Sequence, residues 1–306
     1  MRLASIYING NEKLAVCIDE DLILMETINT ALGVAWPVQM GQLLREEQVK
    51  ALNAWYQAEG REAIETRAHT PINKEAFQYA PLFRTPSKIW GIGLNYAAHA
   101  QDLSERPPTH LPASFMKPTT SIIGCGDTIQ IPTLSHKTTA EAELGVIIGK
   151  RCKNVSRKNW LDVVAGFTTI IDMTAEDILK QNPRYLTVSK SFDTFFSFGP
   201  QLVTADEIGD VYQLKVSTII NGRVQAENIV KHMTFPPDEL VAFHSQVMTL
   251  LPGDVISTGT PGATPISNGD EVTCRISGFV PLGNRVIDLK NKSATTGRVG
   301  RMRKTP

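Results

Sequence analysis

Apolar runs divide the chain into a short β segment, a helical stretch and a long strand-rich part. Residues 3–8 and 14–18 are rich in aliphatic side chains and flank Asn9 and Gly10. An Asn-Gly pair tolerates the positive φ angles of a tight turn, so this opening predicts a β-hairpin. From residue 22 to about residue 67 the apolar positions recur at helical spacing, which predicts packed helices.

Proline residues cluster between residues 70 and 87 and favour extended backbone at the residues before them. We therefore predict a small N-terminal α/β domain over residues 1–80 and a catalytic domain over residues 81–289. The last segment, residues 290–306, has six basic and no acidic side chains. It is predicted to be a disordered tail, because it has almost nothing to bury.

The second half of the chain has the turn spacing of a β-rich domain. A second Asn-Gly pair, Asn221 and Gly222, follows the apolar run 214–220 and predicts another hairpin. Residues 237–251 show helical spacing, and short apolar runs resume at residue 255. The sequence therefore predicts an α+β fold that is mainly β.

Three carboxylates stand at the ends of two apolar runs. Glu141 and Glu143 are two residues apart at the head of one run, and Asp172 ends the other. Side chains two apart on a strand share a face, so the two glutamates repel each other unless a cation compensates them. On most strands such a pair is only solvated. Here the runs lack polar alternation, which indicates burial on both faces, and oxygen donors without His or Cys favour Mg²⁺, Mn²⁺ or Ca²⁺.

The composition does not indicate binding to nucleic acid or to membranes. Lys plus Arg equals Asp plus Glu at 31 each, and no apolar run reaches the roughly 18 residues of a membrane span. The four cysteines are scattered without zinc or disulfide spacing, which fits reduced thiols in a cytoplasmic, soluble protein. The basic tail lacks the interleaved aromatics of a nucleic-acid-binding segment.

Two further groups are candidates for catalysis. His99 and Asp102 are three residues apart and share a face if residues 96–103 form a helical turn, so the carboxylate could orient the imidazole as a general base for water. An isolated histidine is more often structural. Lys190 lies in a stretch that is otherwise uncharged up to Asp193, and near a bound substrate it would stabilise oxyanion or enolate charge; its alternative is a surface lysine.

Several motifs in order and spacing resemble the fumarylacetoacetate hydrolase family over residues 88–289. The matching stretches are Gly93-x-Asn95-Tyr96-x-x-His99, Phe115-x-Lys117-Pro118, Glu141-x-Glu143-Leu144, Asp172-Met173-Thr174-Ala175-x-Asp177, Lys190-Ser191-Phe192-Asp193-Thr194 and Thr258-Gly259-Thr260-Pro261. The resemblance implies a mixed β-sandwich roll of the fumarylacetoacetate hydrolase type and a homodimer.

The resemblance also implies site roles. Mg²⁺ or Mn²⁺, with Ca²⁺ as a substitute, would be held by the three carboxylates, and a His-Glu dyad of hydrolytic members would correspond to His99 and Asp102. Two positions depart from the family: Asp102 is shorter than glutamate, and Glu176 stands where the family has arginine. The residues implied to contact substrate are Tyr96, Lys117, Thr258, Gly259 and Thr260.

These observations predict a metal-dependent hydrolase that cleaves a C–C bond in a 2,4-dioxo acid, of the acylpyruvate or fumarylpyruvate type, through a metal-bound pyruvate enolate. One alternative uses the same site without activated water, for oxaloacetate decarboxylation or tautomerisation or for isomerisation of a 2-hydroxy-dienedioate. A second alternative is a non-enzymatic protein with a structural Ca²⁺. The expected partner in either enzyme is a small 2-oxo or 2,4-dioxo acid.

Overall fold

A computed structural model describes residues 1–97 and 108–291. Two mixed sheets dominate it. The larger sheet has twelve strands: β1 Arg2–Ile8, β2 Asn11–Ile18, β3 Asp21–Leu24, β4 Gln78–Tyr79, β5 Ile89–Gly93, β6 Ala113–Met116, β7 Ile122–Ile123, β9 Thr138–Ile148, β10 Val164–Ala175, β11 Phe196–Val203, β14 Val255–Ser257 and β15 Thr264–Pro265. The smaller sheet has five: β8 Thr128–Ile131, β12 Lys215–Ile220, β13 Arg223–Ile229, β16 Glu271–Ile276 and β17 Leu282–Asp288.

The helices are short and lie between the strands. The α-helices are α1 Met25–Leu32, α2 Met40–Arg45, α3 Val49–Trp55, α4 Arg61–Ala63, α5 Glu176–Gln181, α6 Leu186–Lys190 and α7 Pro237–Val247. Two π-helical segments, Tyr56–Gly60 and Ile64–Ala68, flank α4. The 3₁₀ turns are Lys74–Ala76, Thr119–Ser121, Arg157–Asp162, Pro183–Tyr185, Ala205–Glu207, Val211–Gln213 and Val230–His232. Every described helix is too short or too polar to cross a membrane.

Both predicted hairpins are present. Ile8 pairs with Asn11, and the intervening Asn9 and Gly10 have φ angles of 50° and 75°. At the second hairpin Asn221 and Gly222 have φ angles of 51° and 77°. The prediction of helix from residue 22 is wrong at its start, because Leu22 and Ile23 pair with β2 and the helix begins at Met25.

The helix predicted over residues 237–251 is four residues too long. It begins at Pro237, where the missing N–H costs nothing, with Asp238 and Glu239 favourably placed in its first turn. It ends at Val247, and Leu250 then forms a bridge with Cys152.

The order of the large sheet is β3-β2-β1-β11-β10-β9-β14-β5-β6. Arg2 of β1 pairs with Val203 of β11, so the N-terminal strands continue the sheet that carries the rest of the chain. The boundary at residue 80 stays a prediction, and residues 292–306 of the predicted tail lie outside the described residues.

The central strands β9 and β10 are buried at all of their eleven and twelve residues, as the missing polar alternation predicts. On one face Leu144, Val146 and Ile171 pack with apolar residues of the smaller sheet. On the other face Ile147 and Ile170 join a core built with α1 to α3. The fold is therefore α+β and mainly β, a mixed-sheet sandwich as expected.

Candidate metal centre

The pairing of β9 with β10 brings the three predicted carboxylates together. Asp172 lies opposite Glu141, and Ile170 lies opposite Glu143, so all three acids point to one face of the sheet. One ligand oxygen from each lies within 4.8 Å of those from the other two. The exposed fractions of Glu141, Glu143 and Asp172 are 8%, 1% and 0%. The same face carries Ile147 further along β9, where the N-terminal core covers it.

Two lysines enter this cluster. Lys190, the last residue of α6, donates from Nζ to Asp172 Oδ2 at 2.7 Å and to Glu141 Oε2 at 3.0 Å. Lys117, just after β6, donates to Asp172 Oδ1 at 2.5 Å. Both are buried, and the ring centroid of Phe115 lies 4.9 Å from Lys190 Nζ. With every group ionised, the three carboxylates and two ammonium groups carry one net negative charge.

Neutral donors hold the carboxylates in place. Thr174 donates its hydroxyl to Glu141 Oε1 at 2.5 Å. Ser257 donates to Glu143 Oε2 at 2.5 Å, and the backbone N–H of Gly259 donates to the same oxygen at 2.8 Å. Each glutamate is therefore oriented by hydroxyl or amide groups that carry no charge of their own.

Burial and the crowding of charge shift the pKa values of the cluster. Burial, then the Asp172 carboxylate, raises the pKa of Glu143 to about 8. Burial lowers the pKa of Lys117, and the nearby Lys190 ammonium adds to that effect against the attraction of Asp172. Lys190 moves the other way: burial opposes its charge, but the carboxylates of Asp172, Glu141 and Glu143 together outweigh burial and raise its pKa. The two lysines differ because Lys190 bonds two carboxylates, while Lys117 bonds one carboxylate, Asp172, and the Met173 carbonyl.

The donor set fits a hard divalent cation. All three ligand groups are carboxylates and converge from one face, and when all are ionised their charge exceeds that of the two lysines. Burial and the Asp172 carboxylate disfavour the ionised form of Glu143, and a bound cation would favour it. Glu141, Glu143 and Asp172 are thus suited to Mg²⁺ or Mn²⁺.

The predicted substrate contacts lie in different environments. Tyr96 is fully buried, its hydroxyl has no hydrogen-bond partner among the described residues, and burial followed by the Glu143 charge raises its pKa. Thr258 donates its hydroxyl to the Leu144 carbonyl at 2.9 Å, and Thr260 donates to the Gly262 carbonyl at 3.1 Å. The two threonine side chains therefore hold the backbone of this loop, and their role toward substrate stays a prediction.

The predicted general base, His99 with Asp102, lies outside the described residues. So does most of the segment 96–103, whose helical form is the condition for their sharing a face. The segment just before them is firmly fixed. Asn95, fully buried, donates to the carbonyls of Phe235 at 2.9 Å and Thr258 at 2.7 Å.

Glu176, which stands in place of the family's arginine, lies at the start of α5 between two lysines. It pairs with Lys137 at 2.7 Å and with Lys180. Burial raises the pKa of Glu176, but the Lys137 and Lys180 ammonium groups outweigh it, so the net pKa is lowered. The reversed charge is thus neutralised within the chain.

Sequence reasoning missed three parts of the cluster: the hydroxyls of Ser257 and Thr174 and the pairing of Lys117 with Asp172. Ser257 and Thr174 could have been found from their positions next to predicted site residues. The ion pair of Lys117 had no local signal, because β14 and β5 lie between β9 and β6 in the sheet.

Comparisons with known proteins agree with this architecture. Residues 88–287 match the profile described as fumarylacetoacetate (FAA) hydrolase C-terminal. The mitochondrial oxaloacetate tautomerase Fahd2a of Rattus norvegicus is 38% identical over 216 residues, covering 68% of each chain. Maleylpyruvate hydrolase from Sphingobium sp. SYK-6, solved in complex with manganese(II) and pyruvate, superposes with a TM-score of 0.76 at 28% identity over 94% of this chain and 99% of that one.

A third relative catalyses a different reaction. The 2-hydroxyhepta-2,4-diene-1,7-dioate isomerase from Mycobacterium marinum superposes with a TM-score of 0.70 at 28% identity over 94% of this chain and 98% of that one. The chain is thus similar in sequence to a protein named as a tautomerase and in fold to proteins named as a hydrolase and an isomerase. With its profile match across most of the length, the chain belongs to the fumarylacetoacetate hydrolase family.

Proposed function

We propose that the protein is a divalent-metal-dependent enzyme that enolises a small 2-oxo acid, with oxaloacetate tautomerisation as the first candidate reaction. The observation that carries this proposal is the buried cluster of Glu141, Glu143 and Asp172 with two lysine ammonium groups on it. Glu141, Glu143 and Asp172 would hold Mg²⁺ or Mn²⁺, and the ion would supply Lewis-acid polarisation of the 2-oxo group of the acid. The 38% identity to a rat oxaloacetate tautomerase supports the choice of reaction.

The residues of the chain supply charge where the reaction develops it. Tautomerisation moves one proton from C3 to the oxygen on C2. When the C3–H bond breaks, its electron pair delocalises onto that oxygen, so negative charge builds there until the oxygen takes up the proton. Lys190, whose pKa is raised by the carboxylates around it despite its burial, stays an ammonium and stabilises that oxygen. The hydroxyl of Tyr96, which has no hydrogen-bond partner in residues 1–97 and 108–291, is a further donor near Glu143. Burial of these groups excludes water from the reacting atoms.

Hydrolysis of an acylpyruvate is the second candidate. It is supported by the Sphingobium maleylpyruvate hydrolase, whose structure holds manganese and pyruvate. Hydrolysis needs a base that takes a proton from water, and His99 oriented by Asp102 would be that base. The short side chain of Asp102 makes this step the less favoured one.

The test is a parallel assay of the purified protein, stripped of metal and then supplied with Mg²⁺ or Mn²⁺. Oxaloacetate keto–enol exchange would be followed by ultraviolet absorbance, and acetylpyruvate cleavage by pyruvate release. We expect metal-dependent exchange that Glu141→Gln lowers by at least about a hundredfold. Glu227→Gln, an acid on β13 that bonds Ser217 and Lys215 outside the cluster, is the matched control.

Replacement of His99 separates the two candidates. His99→Ala should abolish any acetylpyruvate cleavage and leave oxaloacetate exchange nearly unchanged. Full activity of Glu141→Gln in metal-free buffer, or no metal-dependent turnover of either substrate by the unaltered protein, would refute the proposed function.

A further inference from the structure

Ser114 and His244 form a hydrogen-bonded pair on the face of the large sheet opposite the carboxylates. Ser114 Oγ lies 2.8 Å from His244 Nε2, and His244 Nδ1 lies 2.7 Å from the Leu240 carbonyl oxygen. A carbonyl only accepts, so Nδ1 carries the proton and Nε2 accepts from the serine hydroxyl. The imidazole is fully buried against the Trp90 ring, with 4.7 Å between ring centroids.

The strand that holds Ser114 also carries two side chains of the metal centre. Successive side chains of a strand point to opposite faces, so Phe115 projects away from Ser114 and places its ring 4.9 Å from Lys190 Nζ. Lys117, two residues further, shares the Phe115 side and donates to Asp172. The hydroxyl of Ser114 and the ammonium of Lys117 thus anchor one short strand from its two faces.

This strand is held less firmly by its backbone than the central strands are. β6 has four residues and ends the order of described strands, with β5 as its neighbour. A short edge strand with backbone partners on one side moves more easily than β9, which lies between β10 and β14. A side-chain bond to the helix α7 therefore has a large share in fixing its position.

We propose that His244 is a positioning residue: through Ser114 it holds β6 in place and thereby keeps Lys117 Nζ on Asp172 at the metal centre. The inference rests on the proposed function only in taking the carboxylate cluster as a metal site. If His244 were only a core histidine with its hydrogen bonds satisfied, loss of its bond to Ser114 would lower stability and leave the ion pair of Lys117 with Asp172 unchanged.

The experiment measures Mn²⁺ affinity of the metal-stripped full chain by electron paramagnetic resonance. Lys117→Met removes an ammonium that competes with the cation for Asp172, so it should tighten Mn²⁺ binding. Ser114→Ala removes the hydrogen bond that keeps Lys117 on Asp172, so it should also tighten Mn²⁺ binding. We expect an increase in affinity of about threefold, the order of effect of one lost hydrogen bond. In the Lys117→Met background Ser114→Ala should have no effect, since the group it positions is gone.

Two further variants control for loss of stability. Ser245→Ala removes a buried hydroxyl of the same helix that bonds the Ala242 carbonyl and the Val155 N–H, so it should lower the melting temperature without changing Mn²⁺ affinity. Ser114→Thr keeps the hydroxyl and should keep the affinity of the unaltered protein. His244→Leu, which lacks the acceptor, should repeat the Ser114→Ala shift.

An equal shift by Ser114→Ala with and without Lys117, or no shift in either background, would overturn the positioning role. Because Mn²⁺ binding needs no substrate, this result is independent of turnover. Oxaloacetate exchange by the metal-saturated variants then adds a second readout, in which Ser114→Ala should lower kcat and leave KM nearly unchanged. A failure of the proposed reaction would leave the metal-binding result standing.

Discussion

At the scale of single residues, the candidate metal centre is a group of charges that would not be stable without each other. Glu143 and Asp172 raise each other's energy, while Lys117 and Lys190 compensate Asp172 through direct bonds. Removal of a charge that is mainly repelled by its neighbours should therefore stabilise the protein, and removal of a charge that is paired with its neighbours should destabilise it.

Glu143→Gln should stabilise the metal-free protein although it destroys the metal site. Glutamine can still accept from Ser257 and Gly259. It also removes a buried carboxyl group whose pKa is raised to about 8, so that its ionisation opposes folding as pH rises toward 8. We expect a gain of at least about 1 kcal/mol at pH 8, since one unit of pKa corresponds to about 1.4 kcal/mol. Asp172→Asn should instead cost about 3–5 kcal/mol, because it leaves two buried ammonium groups without their shared partner.

Denaturant unfolding in excess chelator measures both changes, and Mn²⁺ titration should show weakened binding for each variant. Equal destabilisation by Glu143→Gln and Asp172→Asn would contradict this account of the charges.

His244 makes stability depend on pH. Burial lowers its pKa from 6.5, opposed by the bond to the Leu240 carbonyl. Because the unfolded imidazole takes up a proton first, its contribution is fully present above pH 6.5 and is lost as pH falls through the lower folded pKa. The stability difference between the unaltered protein and His244→Gln should therefore shrink between pH 7 and pH 5, by up to about 1.4 kcal/mol per pH unit. Denaturant unfolding at each pH measures this stability difference. A difference that stays constant from pH 7 to pH 5 would show that His244 does not make stability depend on pH.

At the scale of elements, the loop after β14 connects the metal centre to the segment before His99. Gly259 has a φ of +95°, and its N–H donates to Glu143. A Cβ at this position would lie 2.7 Å from Asn95 Cβ and 2.9 Å from the Ile92 carbonyl oxygen. The glycine thus lets the loop approach Asn95 closely, which in turn bonds Phe235 and Thr258.

Gly259→Ala should destabilise the protein well beyond the strain of its backbone angle. Gly269→Ala is the matched control, because Gly269 has a φ of +89° and open space around its Cβ position. We expect the control to cost about 1 kcal/mol for the left-handed conformation and Gly259→Ala to cost about 2 kcal/mol more. Thermal unfolding of both variants gives the comparison, and equal losses would show that the close approach to Asn95 is unimportant.

At the scale of the whole molecule, the N-terminal region is built into the large sheet. β1 pairs with β11 over Arg2 to Ala4, and Leu3 lies in the same core as Phe198 and Leu202. A chain that begins at residue 81 would lose this strand and expose the apolar face that the N-terminal helices cover.

A fragment of residues 81–291 should therefore fail to fold alone. We expect it to aggregate or to lose cooperative unfolding, while the full chain unfolds in one transition. Size-exclusion chromatography and near-ultraviolet circular dichroism measure this. A monodisperse fragment with a cooperative transition would instead support residues 1–80 as an independent domain.

Local patterns account for the parts of the structure that the sequence predicted well. The two Asn-Gly hairpins follow from turn geometry within a few residues, and the buried central strands follow from their unbroken apolar character. The prediction of helix at Leu22 and Ile23 was wrong because it used only the helical spacing of the residues that follow. Pairing with β2, a tertiary contact, makes these two residues a strand.

By itself the sequence predicted that Glu141, Glu143 and Asp172 are buried acids that a cation would compensate, because carboxylates within largely apolar strands are too costly to leave uncompensated. Only the tertiary structure decided which cations the chain itself supplies. Lys190 reaches Glu141 and Asp172 from a helix, and Lys117 reaches Asp172 from the residue after β6, which lies beyond β14 and β5 in the sheet. Such contacts depend on strand order, which residue spacing along the chain does not specify.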